Sequence, residues 1–74
     1  MKREEVVTLL SACKPLADKL AKQGFSARMT FEEYAALGGF TRVVAAGWLK
    51  DSHILQEAGL SPEDITPLRF LTGK

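Results

Sequence analysis

The residues of this chain that could do chemistry are few, and their spacing works against them. Cys13 is the only cysteine and His53 the only histidine among 74 residues. A thiol nucleophile needs an imidazole within hydrogen-bond reach and a third group to orient it. These two fall on separate helical patterns, and no orienting group is evident. A metal site needs three or four ligands at regular spacing, and no CxxC or HExxH arrangement occurs. Glu32 and Glu33 do not make an acid/base pair, because adjacent residues on a helix point apart. Gly38-Gly39 lacks the strand before it and the lysine after it that a phosphate loop requires. The expectation is no catalytic residue, metal, cofactor or small-molecule substrate, with Cys13 a packing residue and His53 a surface residue at a helix start.

What remains is charge. Ten basic residues against nine acidic ones leave a formal net charge of +1, far from the basic signature of most nucleic-acid binders. The charges are segregated, however. From Lys14 to Arg28, the bases Lys14, Lys19, Lys22 and Arg28 face only Asp18, whereas from Asp51 to Asp64 the acids Asp51, Glu57, Glu63 and Asp64 have no Lys or Arg among them. This fits either solvated helix faces or a dipolar molecule with one basic contact surface. A lone cysteine argues for a reducing compartment, and no apolar run approaches the ~18 residues of a membrane span. Leu10 to Cys13 (LSAC) resembles a lipoprotein cleavage box. Glu4 and Glu5 nevertheless cancel Lys2 and Arg3, and Thr8 and Ser11 interrupt the short apolar segment. The expected location is cytoplasmic.

The elements that would position these residues are all helical. Val6, Leu9, Leu10, Cys13, Leu16, Ala17 and Leu20 recur at three- and four-residue spacing, which predicts an amphipathic helix over 3–23. Pro15 should kink or break it near Lys14, because proline lacks an N–H and crowds the carbonyl four residues back; a helix over 1–24 kinked at Pro15 is expected. Gly24 supplies a left-handed stop, with Phe25 packing back on Leu20. Thr30 and Glu33 form a capping box, and Met29 with Tyr34 a hydrophobic staple. Phe31, Tyr34, Ala35 and Leu37 would form the buried stripe of a two-turn helix ending at Gly38. Thr41 would cap a third helix beginning at Arg42 and reaching at least Lys50, with Val44, Ala45 and Trp48 inward and Gly47 allowing close approach. Gly59-Leu60 repeats the stop signal, and Ser61-Pro62-Glu63-Asp64 opens another helix. Thr66-Pro67 offers a second cap for a last turn, after which Gly73 and Lys74 fray. No segment alternates like a strand. The predicted architecture is one all-α domain, a small bundle of four or five short helices with a helix-turn-helix over 29–54 and short C-terminal helices over 55–72.

The stretch MTFEEY, followed by GWLKDSHI, resembles the small excisionase and AlpA/MerR-type winged helix-turn-helix proteins of phages and mobile elements. In that family a Thr-capped helix with an aromatic at the Tyr34 position precedes the turn. The second helix ends in a tryptophan, a base and an apolar exit, here Trp48, Lys50 and Ile54. The likeness covers the central 26 residues, Met29 to Ile54. It implies a small DNA-binding regulator or accessory factor of phage or plasmid type. Thr41, Arg42 and Lys50 would then meet DNA from the recognition helix, with Lys14, Lys19, Lys22 and Arg28 against phosphates.

Where the family's recognition helix is rich in arginine, this one carries Val43, Ala45, Ala46 and Gly47 between its two bases. Nothing after Ile54 reads as a wing. Alanine offers a base edge only methyl contacts. The competing expectation is a protein-binding adaptor, inhibitor or antitoxin-like module. Its interface would be Val43, Ala46, Gly47 and Trp48, engaging a protein partner or a second copy in a homodimer.

Overall fold

Pro15 divides the N-terminal pattern into two helices. In the computed structural model, which describes residues 1–24, 26 and 28–72, α1 spans Arg3–Ser11 and α2 spans Lys14–Gln23. Cys13 N–H reaches only as far back as the Leu10 carbonyl, at 2.9 Å, and Ala17 N–H restarts the ladder on Cys13. Pro15 thus sits in the first turn of α2, where an N–H would have no partner anyway. The expected kink is a break. Cys13 lies at the elbow, fully buried, with its thiol against the carbonyls of Leu9 (3.3 Å) and Ala36 (3.4 Å). Gly24 closes α2 at φ 76°. The expected contact of Phe25 with Leu20 and the fraying at Gly73 and Lys74 lie outside the described residues.

The central segment corrects the sequence reading most. Thr30 caps α3 as expected: Glu33 N–H donates to its hydroxyl at 3.2 Å, and the Glu33 carboxylate accepts from Thr30 N–H at 2.7 Å. The helix does not stop at Gly38. It runs unbroken from Phe31 to Ala45, and neither Gly38 nor Gly39 has a positive φ. Thr41 is not a cap; its hydroxyl donates back to the Leu37 carbonyl within the helix, at 3.0 Å. The turn of the expected helix-turn-helix is therefore a stretch of α3. Two interior glycines cost roughly 0.8–1.0 kcal/mol each relative to alanine. Continuation places Phe40 and Val43 in the core with no exposed surface, and full burial of such side chains is favourable by about 1.5–3 kcal/mol each. Burial wins. Gly39 also serves contact, since a Cβ there would lie 3.0 Å from Leu9 Cδ2; its absence lets α1 lie close against α3.

The longer helix changes which residues face in. Phe31 and Phe40 are nine positions apart, two and a half turns of an α-helix, so one points away from the other. Phe40 is buried, and Phe31 is 84% exposed. Tyr34 and Ala35 are exposed too, which leaves Leu37 the half-buried member of the expected stripe.

The predicted third helix does not form as drawn. Gly47, at φ 82°, is the left-handed residue that ends α3. It offers no close approach, because nothing lies within 4 Å of where its Cβ would be. Trp48–Lys50 make a single 3-10 turn, with Trp48 packed on the core and Ala45 exposed. The Asp51 carboxylate accepts from His53 N–H at 2.8 Å and leads into a one-turn helix, α4, Ile54–Glu57. Gly59 and Leu60 then donate to the carbonyls of Gln56 and Leu55, the double closure expected of a Schellman stop. Last comes α5, Pro62–Leu71, capped by Ser61, whose N–H donates to the Asp64 carboxylate at 2.9 Å. It is continuous through Pro67, so Thr66 starts no second helix; its hydroxyl bonds the Pro62 carbonyl. Ile65 and Leu68, both buried, hold the helix together where Pro67 lacks its N–H.

The described residues form five α-helical segments and no strand. Helix α1 packs on α3 and α4, and α2 packs on α5. Arg3 ties the assembly, its guanidinium bonded to both Asp51 and Glu57. Among the described residues no helix is long and apolar enough to cross a membrane.

Candidate interaction surface

The bases expected to touch DNA are dispersed, and two are engaged elsewhere. Lys14 bridges Asp64 at 3.1 Å and Asp18 at 3.5 Å. Lys19 holds the Glu33 carboxylate at 2.9 Å and also bonds the Arg28 carbonyl. Hydrogen bonds to these carboxylates raise the Lys14 pKa, and they hold Asp64 and Glu33 below the usual carboxylate range. In both acids the first cause is the capped backbone N–H, of Ser61 and Thr30 respectively, with the lysine second. Both lysines thus fasten helices together. Lys22, Arg28, Arg42 and Lys50 are exposed, but they stand at the end of α2, in the following loop, late in α3 and in the 3-10 turn. The structure does not bring them onto one helix. A glycine-containing turn between two helices does occur further on, from α4 to α5, yet the second helix opens on Glu63 and Asp64, charges that repel phosphate.

The four residues expected to form a protein interface also part company. Val43 is fully buried and Trp48 half-buried against the core, Gly47 is the stop of α3, and Ala46 is exposed just beyond it. Cys13 is shut in, with burial pushing its thiol pKa up to about 11, whereas His53 stands exposed before α4. Among the described residues no cluster of metal-ligating side chains is present.

The surface that sequence reasoning missed lies between α1 and α3. Two open clefts meet at Leu9. One, of about 350 Å³, is bordered by Met1, Glu4, Glu5 and Thr8 of the N-terminal segment and by Arg42. The other, of about 460 Å³, is bordered by Ala12 together with Phe31, Glu32, Ala35 and Ala36. The start of α1 thus lies beside the end of α3 and its end beside the start, so the two helices run antiparallel and the two clefts follow one another along their seam as a groove that Leu9 divides. From Phe31 to Arg42 is eleven residues, or about 16 Å at 1.5 Å each. The second cleft is lined by the apolar and mostly small side chains of Leu9, Ala12, Ala35 and Ala36, with the exposed ring of Phe31 at its edge. The signal that could have found it was the phase of α3, since placing Phe40 inside puts Phe31 outside.

No protein-family model, curated protein or solved structure matches the chain, so the likeness to excisionase-type proteins rests on its own residues.

Proposed function

We propose that the protein is a protein-binding module of the adaptor or inhibitor kind, and that its contact surface is the groove between α1 and α3 with the adjoining outer face of α3. One observation carries the reading: Phe31 is 84% exposed at the edge of an apolar cleft, with Tyr34, 59% exposed, one turn further along the outer face of α3. The domain has six aromatic residues and needs large side chains inside. Leaving Phe31 in water beside an apolar groove, and Tyr34 in water on the adjoining helix face, is the arrangement of interfaces, where aromatic residues are enriched and carry much of the binding energy. The DNA-binding alternative draws on Arg42, Lys50, Lys22 and Arg28, but its recognition helix would have to be a helix that α3 and the 3-10 turn replace.

The test is a display selection of helical peptides on the folded protein, run beside binding to random duplex DNA over a salt series. Selected peptides should lose about thirtyfold or more in affinity on Phe31→Ala, the scale of a hot-spot aromatic. The melting midpoint should not move, because the ring is already in water. DNA binding that falls steeply with salt and ignores Phe31→Ala would overturn the proposal in favour of a regulator.

A further inference from the structure

We infer that the groove takes an amphipathic α-helix of a partner protein, with lysine or arginine flanking its apolar side. This rests on the protein-binding reading and specifies its ligand. The argument begins with shape. A groove of about 16 Å matches three turns of helix, and an incoming helix presents side chains at i, i+3 or i+4, and i+7 on one face. The two clefts on either side of Leu9 offer separate seats for two such side chains. Ala12, Ala35 and Ala36 at the floor let a backbone come close, as small residues do wherever helices approach tightly.

Charge selects among helices. Glu4 and Glu5 stand at one end of the groove and Glu32 at the other, against Arg42 alone, a rim of net −2. The Glu5 carboxylate accepts from Lys2 N–H at 3.3 Å, but the Glu4 and Glu32 carboxylates make no hydrogen bond or ion pair with the described residues. Two acceptors beside an apolar floor suit a cation on each flank of the ligand. A second copy of the same face would bring Glu32 and Glu4 against like charge, and an anionic lipid surface or a nucleic acid would meet the same repulsion.

The experiment titrates two synthetic helical peptides into the isotope-labelled full chain, followed by amide chemical shifts. The peptides share one leucine/alanine apolar face; lysines flank it in one and glutamates in the other. The lysine peptide should bind about tenfold more tightly at low salt, the scale of a few exposed charge pairs. Its shifts should centre on Leu9, Ala12, Phe31 and Ala35. The preference should vanish in the double variant Glu4→Gln/Glu32→Gln, and Phe31→Ala should weaken both peptides. Equal or tighter binding of the glutamate peptide, still dependent on Phe31, overturns the basic partner and leaves the groove reading standing. Shifts centred on Glu63 and Asp64 of α5, or no binding of either peptide at millimolar concentration, overturn the inference. So does a dimer of the free chain, seen by sedimentation, that Phe31→Ala dissociates, since the occupant would then be a second copy.

Discussion

Gly38→Ala separates a continuous α3 from a helix that turns at the glycine pair. Gly38 is exposed, lies in the middle of α3 and has no positive φ. A Cβ built on it meets nothing within 4 Å. The substitution therefore adds a methyl group to open solvent and changes only the backbone's conformational freedom. In a helix interior alanine is favoured over glycine by roughly 0.8–1.0 kcal/mol, mostly because the unfolded chain has fewer states to lose. For a domain of 60–100 residues, 1 kcal/mol moves the thermal midpoint by about 4–8 °C. The assay is thermal and urea unfolding followed by circular dichroism, with Gly47→Ala as the opposing control. Gly47 sits at φ 82°, where an L side chain costs about 1–2 kcal/mol, so its midpoint should fall by at least as much as the other rises. Gly39→Ala is the internal comparison. It gains the same helical preference but places its Cβ 3.0 Å from Leu9 Cδ2, so its midpoint should stay below that of Gly38→Ala. A Gly38→Ala protein that melts lower than wild type would refute the continuous helix and restore the turn.

Thr30→Ala removes the hydroxyl that accepts from Glu33 N–H, and should cost about 1 kcal/mol in urea unfolding. Pro15→Ala should be neutral or cost up to about 1 kcal/mol, because Pro15 occupies the first turn of α2 and stiffens the unfolded chain; a clear gain in stability would mean one strained helix. Glu33, Asp51, Glu57 and Asp64 have lowered pKa values in the folded chain, Asp51 and Glu57 first through their hydrogen bonds to Arg3. Their contribution is therefore complete above the unfolded carboxylate values of about 4, and is lost as pH falls through the lower folded ones. The urea midpoint should hold from pH 7 to about 5 and decline below; a midpoint level down to pH 3 would contradict the ion-pair network. Cys13, with its thiol held up to about 11, should react with iodoacetamide at pH 8 only as fast as the fold opens, and its contribution to stability should fade between about pH 8.5 and 11.

The parts of the fold legible in the sequence are those decided within one turn of chain. The Thr30–Glu33 box, the Ser61 cap, the stops at Gly24 and Gly59 and the proline at the α1–α2 junction each involve residues a few positions apart. Backbone hydrogen bonding and φ preference settle such features locally. The all-α class follows from their sum, and the place of Cys13 in the core follows from its register with Val6 and Leu10.

The candidate site was not legible in this way, because it depends on the rotational phase of α3. Gly38-Gly39 is locally a good helix end, and Thr41 is locally a good cap. Both signals are worth about 1 kcal/mol, less than burying Phe40 and Val43 in the core. That burial depends on the long-range packing of α1 on α3, where Leu9 meets Gly39, and no window of sequence shows it. Once Leu9 settles on the bare face of Gly39, α3 must run straight, Phe40 turns inward and Phe31 outward. The sequence by itself determined the all-α class and the helix ends at Gly24, Thr30, Gly59 and Ser61, but not the course of the chain from Gly38 to Lys50. Only the tertiary structure decided which side of the central helix meets water, since a rotation of half a turn leaves every local preference satisfied and exchanges core for surface.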